Sequence, residues 1–175
     1  MIYDVNTHKI IGCYFREVKR EEIIHNNYNP KGGWSFNWLK PITHSFEVYG
    51  LVTEDYPDLI QGLIALKSNY DEAFRCVDID IIESAPQNKK VVKGEENNHR
   101  RYIGVGRCLV AFACEYSLSA GLEGFIELTS KSSKIDFYQD LGACSTYGQN
   151  MMITGDRAIE LAKCYFSGGV QWWEK

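Results

Sequence analysis

The chain lacks paired cysteines, has few prolines, contains no long apolar run and carries no excess of positive charge. Each lack removes a class of protein. Its six cysteines (Cys13, Cys76, Cys108, Cys114, Cys144, Cys164) are scattered over 175 residues with no Cys-x-x-Cys spacing. Neither they nor His8, His25, His44 and His99 show metal-ligand spacing, so no metal is expected. Scattered cysteines in such a chain read as small buried hydrophobes with free thiols. No apolar run reaches membrane-spanning length, and Met1-Ile2-Tyr3-Asp4 does not open a charged-then-apolar leader; a soluble, cytoplasmic protein without a membrane partner is expected. A formal net charge of -4 leaves no basic footprint, so nucleic acid is not an expected partner. With no repeat and no linker, residues 1–175 are expected to form one domain.

What is present is a glycine turn between cations, Arg100-Arg101-Tyr102-Ile103-Gly104-Val105-Gly106-Arg107-Cys108. It runs into a segment in which Val105, Leu109, Phe112/Ala113 and Tyr116 recur at helical spacing, with Gly121 as the stop. Such a turn points backbone N–H groups outward at the positive end of a helix, which suits a phosphate. A Walker-type loop would need Gly-Lys-Ser/Thr where Arg107-Cys108 stands. A dinucleotide fingerprint would need a third glycine at Leu109 and a strand directly before the turn, whereas a long polar segment precedes this one. The spacing that fits is Arg-x-x-Gly-x-Gly, at Arg101, Gly104 and Gly106.

Earlier in the chain, Ile10 to Phe15 reads as one short strand or cover segment, and Arg16 to Tyr28 as a short surface helix. Trp34, Phe36 and Trp38 alternate with polar residues, as an extended segment packing one face on the core or lining a substrate pocket. Ser45–Thr53, Leu59–Ser68 and Cys76–Glu83 are three strand-like runs joined by short turns, an antiparallel meander. In the third run Val77, Ile79 and Ile81 alternate with Asp78 and Asp80 until Ile81-Ile82 breaks the period, as a β-bulge would. Pro86 ends it. Gln87 to Arg100 is polar and lysine-rich, an exposed loop whose lysines (Lys89, Lys90, Lys93) are either solvated or reach cofactor phosphates.

Beyond the glycine turn, Gly124–Ser130 reads as a strand parallel to the third run, closing a βαβ crossover. A short helix over Lys134–Leu141 stopped by Gly142, a strand at Met151–Ile153 and a helix over Asp156–Phe166 follow. The terminal Trp172-Trp173 pair either docks on its own domain or covers the partner in a homodimer.

The strand ending near a proline, the Arg-x-x-Gly-x-Gly turn and Phe137-Tyr138-Gln139-Asp140-Leu141-Gly142 together resemble the GNAT superfamily of acyl-CoA-dependent N-acetyltransferases, over roughly Leu59 to Ala143. Glu83-Ser84-Ala85-Pro86-Gln87-Asn88 also looks like a run found in bacterial members. The chain departs from the pattern in its long loop before Arg101, in Lys131 where an asparagine is usual, and in Ala143 where an aromatic is usual. The resemblance implies an α/β (α+β) fold with a mixed, mostly antiparallel central sheet flanked by helices. It implies acetyl-CoA as co-substrate and a small-molecule or peptide amine as acceptor, acetylated by direct attack in a ternary complex. Backbone groups near Ile82 and Ser84 would hold the pantetheine. Arg101, Tyr102, Ile103, Gly104, Val105, Gly106 and Arg107 would hold the pyrophosphate. Glu83 is the expected base, its pKa raised by apolar neighbours, with Asp80 and Asp78 as competitors; Tyr138 is the expected acid. Acids at Glu54, Asp55, Asp58, Asp71 and Glu72 would favour a cationic amine. The rival readings are a non-catalytic acyl-CoA-binding module and an unrelated phosphate-binding interaction domain.

Overall fold

The computed structural model describes residues 1–92 and 94–174. By contacts the chain divides into two compact units. The first holds Met1–Ala65, Ile81–Leu109 and the segment from Gln171; the second holds Leu66–Asp80 and Val110–Val170.

The first unit opens with β1 (Ile2–Asp4), β2 (Lys9–Ile11) and β3 (Tyr14–Glu17). The apolar run from Ile10 is thus two strands rather than one. Gly12-Cys13 separates them, leaving Ile10 exposed and Phe15 buried. Helix α1 (Arg20–His25) buries Ile23, and α2 (Leu39–Thr43) follows a bent segment. The Trp34–Trp38 stretch is therefore not extended: it turns into α2, and both tryptophans are buried, packed edge to face. They join Ile23, Val48, Val52 and Leu63 in one apolar cluster. Strand β4 (Glu47–Val52) pairs antiparallel with β3. The segment from Gln171 adds to the other side of β3: the Phe15 N–H donates to the Gln171 carbonyl, the Trp173 N–H donates to the Phe15 carbonyl, and Trp173 packs edge to face on Tyr14. The terminal tryptophans dock on their own unit.

Two strands, β5 (Gly62–Asn69) and β6 (Cys76–Ser84), contribute to both units. The polar stretch after Pro86 is not simply a loop. It begins with a 3-10 turn, Pro86–Asn88, and folds β7 (Val91–Val92) against β8 (Glu95–Glu96). Asn88 is buried in it and donates to the carbonyl and side-chain oxygens of Gln61, while the exposed Gln87 donates to the Ile60 carbonyl. Lys93 lies outside the described residues. Strand β9 (Tyr102–Ile103) pairs antiparallel with β1, so a strand does lead directly into the glycine turn. Helix α3 (Val105–Ser119) follows, buried on all sides from Cys108 to Cys114.

In the second unit β10 (Ile126–Thr129) pairs parallel with β6, as the βαβ crossover requires, and antiparallel with β12 (Asn150–Ile153), which pairs with β11 (Cys144–Ser145). Helices α4 (Ile135–Asp140) and α5 (Gly155–Tyr165) complete it. At Gly142 φ is +87°, and the Arg157 side chain lies within 2.6 Å of where a Cβ would sit. The Phe-Tyr-x-x-x-Gly segment therefore needs its glycine for two physical reasons. The seven-stranded sheet has the order β11-β12-β10-β6-β5-β4-β3, and consecutive strands β4, β5 and β6 are neighbours, as the meander predicts. Among the described residues no helix is long and apolar enough to cross a membrane.

Candidate active site

Strand β6 carries the first half of the site. Its ladder with β10 runs from Val77 to Ile79, opposite Ile126 to Leu128. The Val77 N–H donates to Phe125, just ahead of β10, whereas the Ala85 N–H donates to Gln61, just ahead of β5. β10 and β5 lie on opposite sides of β6. In an uninterrupted strand, residues eight apart send their N–H groups to the same side, so one residue of phase is lost between them. Ile81 and Ala85 pack on the same apolar cluster, and Glu83 bonds Trp38 of that cluster, so alternation is regular from Ile81 onward. The shift lies between Ile79 and Ile81, just before the Ile81-Ile82 step that betrays it in sequence. It turns the backbone groups of Ile82 and Ser84 to the side on which the β10 ladder has ended.

The glycine turn carries the second half. Gly104 has φ +91°, open space where a Cβ would sit, and a carbonyl that accepts the first α3 bond, from Cys108. The helix itself uses neither the amide of Val105 nor that of Gly106, which precede that donor. Two expected phosphate ligands are otherwise engaged. The Tyr102 N–H donates to Asn88, and the Arg101 guanidinium donates to Asp4 at 3.1 Å while lying over the Tyr56 and Tyr102 rings. Burial alone would raise the Asp4 pKa, but the Arg101 bond and the Asn6 and Thr7 amides outweigh it and hold the carboxyl below its usual range. Arg101 thus ties β1 to the start of the turn. The cradle is seated by Gly62, whose Cβ position lies 2.5 Å from Val105, 3.0 Å from Leu109 and 3.2 Å from the Glu83 carbonyl. Only a residue without a side chain lets the first turn of α3 settle beside the end of β6.

The carboxylates of β6 differ sharply in surroundings. Glu83 is buried and accepts bonds from the Ser35 N–H at 2.5 Å, the Trp38 indole N–H at 3.2 Å and the Lys89 ammonium at 2.8 Å. The apolar setting expected from Ile82 and Ala85 is thus replaced by three donors, two of them from the loop before α2. Asp78 is half-buried and stands directly across from Glu127. Burial raises its pKa first, Glu127 and Asp80 add to the rise, and Lys67 offsets part of it. Asp80 is exposed. Tyr138 is half-buried on α4, its hydroxyl makes no hydrogen bond among the described residues, and burial pushes its pKa up to about 12. A phenol in that state keeps its proton near neutrality.

Ser35, Gln61 and Asp4 carry no local signal that singles them out; Trp38 stood out only as one of three alternating aromatics and Lys89 only as one of three loop lysines, and neither pattern points to Glu83, which both bind. Asn88 had one, as the last residue of the Glu-Ser-Ala-Pro-Gln-Asn run. Among the described residues no group of three or more His, Cys, Asp or Glu could hold a metal ion.

No family profile and no curated protein matches the chain by sequence. Solved structures do. A tyrosine-to-phenylalanine mutant of the toxin AtaT, bound to the C-terminus of the antitoxin AtaR and acetyl-CoA, superposes with a TM-score of 0.56 at 14% identity, covering 85% of this chain and 97% of that one. Glutamate-to-glutamine mutant forms of the spermidine/spermine N-acetyltransferase SpeG from Vibrio cholerae give 0.56 at 16% identity, covering 85% and 96%. AtaT complexed with acetyl-methionyl-tRNAfMet gives 0.52 at 12% identity, covering 85% and 98%. With the parallel β6–β10 pair, the glycine turn at the head of α3 and a mostly antiparallel sheet, this chain has the fold of the GNAT acetyltransferases.

Proposed function

We propose that the protein is an acyltransferase that moves the acetyl group of acetyl-CoA to a primary amine by direct attack. The observation that carries this reading is the phase shift in β6. It turns the backbone edge of Ile82 and Ser84 to the side of the β10 ladder, whose register runs only from Val77 to Ile79, and the Gly104 turn is seated beside the end of that strand. The pantetheine amides bond this edge as an added strand does. The pyrophosphate meets the amides from Gly104 to Arg107; Arg101 contributes by shaping the turn. The reactive group that acetyl-CoA supplies is a thioester carbonyl.

The pantetheine arm spans several strand residues. A thioester whose pyrophosphate lies beside Glu83 therefore reaches back toward the N-terminal half of β6. That ranks Asp78 above Glu83 as base, and its raised pKa suits the task. Asp78 takes a proton from the acceptor, whose nitrogen forms the new C–N bond as the C–S bond breaks. Tyr138 gives its proton to the leaving thiolate. Glu83 instead holds the loop before α2 in place through Ser35 and Trp38. The neighbours named above include proteins associated with polyamines and with aminoacyl-tRNA. The charge of -4 favours a small cationic acceptor over a polyanion for this chain.

The test is calorimetric titration of acetyl-CoA into the wild-type protein and Gly104→Val, followed by transfer assays with a panel of amines. Expected are binding by the wild type, at least tenfold weaker binding by the variant because φ +91° is barred to valine, and turnover of at least one primary amine. A wild-type protein that binds no acetyl-CoA overturns the reading.

A further inference from the structure

Lys89 lies immediately after the buried Asn88, and its ammonium enters a fully formed acceptor shell. It meets Glu83 Oε1 at 2.8 Å, the Gly33 carbonyl at 3.0 Å and Ser35 Oγ at 3.1 Å. Three acceptors for three N–H donors is the complement of a primary ammonium. The shell is rigid. The Glu83 side chain is 5% exposed and pinned by Ser35 N–H and Trp38 Nε1. Gly33 has φ +88°, and a Cβ there would lie 3.3 Å from Pro86. The lysine is the adaptable part: its side chain is 20% exposed and can leave by changing rotamer, with Asn88 still anchored to Gln61.

We propose that this shell is a binding site for a primary alkylammonium group of the acceptor, and that Lys89 is its internal occupant. The inference rests on the acetyl-transfer reading and narrows its substrate class. An ammonium held by three acceptors has no lone pair and cannot attack a thioester, so the shell anchors one end of the acceptor while another amine reacts. The acceptor is then a flexible chain with two primary amines. Lys89 acts as a tethered competitor: a side chain that presents its ammonium at millimolar or higher effective concentration weakens any free amine by mass action. The tether also keeps Glu83 from standing unpaired when no acceptor is present.

The test compares wild type with Lys89→Ala, using 1,5-diaminopentane and n-pentylamine as probes and tetramethylammonium as the charge control. Melting temperature and steady-state transfer are the readouts, with acetyl-CoA affinity measured separately. In Lys89→Ala both primary amines should raise the melting temperature at concentrations that leave the wild type unmoved. The KM for the diamine should fall about tenfold or more, with acetyl-CoA affinity unchanged. Adding Glu83→Gln to Lys89→Ala should abolish the stabilisation. If Lys89→Ala does not fold alone, folding restored by n-pentylamine but not by tetramethylammonium supports the site. On the wild type, the ammonium resonance of Lys89 followed by NMR should lose its hydrogen-bonded position as 1,5-diaminopentane is added. Equal stabilisation by tetramethylammonium, or a Lys89 resonance that never moves at saturating diamine, overturns the inference. Loss of acetyl-CoA binding with amine stabilisation intact sinks the transferase reading instead and leaves an amine-binding site.

Discussion

Replacing Asp78 by asparagine should make the protein more stable and less active at once. Asp78 faces Glu127 across the parallel β6–β10 pair and has Asp80 two residues on. Adjacent strands lie about 5 Å apart, and two unit charges at that separation repel by roughly 3 kcal/mol at an effective dielectric constant of about 20. Asp78 is only half-buried, so solvent reduces this to the range of measured cross-strand pairs, about 0.2–1 kcal/mol. The sign follows from linkage. The folded-state pKa is raised above the unfolded value, so the folded protein holds more protons in the interval between them, and stability falls as pH rises through that interval. Above it the penalty is constant; below the ordinary aspartate value of about 3.9 it vanishes. Urea unfolding at pH 7.5 should therefore show Asp78→Asn more stable by about 0.5–1 kcal/mol, and at pH 3.5 no difference. At pH 7.5 the transfer rate should fall by about 10²–10⁴, the usual worth of a general base. A variant less stable at pH 7.5, or equally stabilised at both pH values, would refute the charge argument. An unchanged rate would remove Asp78 from the chemistry.

Gly62→Ala puts a methyl 2.5 Å from Val105 and 3.2 Å from the Glu83 carbonyl; it should cost about 1–3 kcal/mol in urea unfolding and weaken acetyl-CoA binding by calorimetry. Trp38→Phe removes an indole donor from buried Glu83 and should cost about 1.5–3 kcal/mol, a loss that 1,5-diaminopentane does not restore. Tyr138→Phe should lower kcat by about 10²–10⁴ with no loss of stability, because the hydroxyl makes no hydrogen bond among the described residues. In the wild type Tyr138, pushed up to about 12, should leave the pH–rate profile without an alkaline limb of its own through pH 10. Under native conditions a thiol reagent should label Cys144 and Cys164 quickly, and Cys76, raised to about 11, and Cys114, raised to about 12, only on unfolding.

The site was legible where its logic is local. Gly104 and the run from Val105 declare a turn and a helix, because positive φ and 3.6-residue periodicity involve neighbours within four positions. The doublet Ile81-Ile82 marked the phase shift of β6 to within a residue. Glu83 was legible as a carboxylate in the right strand but not in its role: Ser35 and Trp38, which bind it, lie 48 and 45 residues away. Arg101 read as a phosphate ligand because nothing nearby shows that Asp4, 97 residues distant, claims it. The alternating aromatics at Trp34–Trp38 fit a strand by period, but the bend into α2 buries both tryptophans better, a case of packing overriding pattern.

By itself the sequence determined the helices other than α2, the β4–β5–β6 meander, the parallel return of β10 and the glycine turn. Each is specified by side chains a few residues apart, through sterics, periodicity and the need to satisfy backbone bonds. Only the tertiary structure decided which charges are spent on scaffolding and which remain for chemistry. That depends on partners brought together from distant parts of the chain. The Asp4–Arg101 pair and the shell of Gly33, Ser35 and Glu83 around Lys89 close only when long segments have already folded, and the cost of burying a charge without a partner then holds them closed.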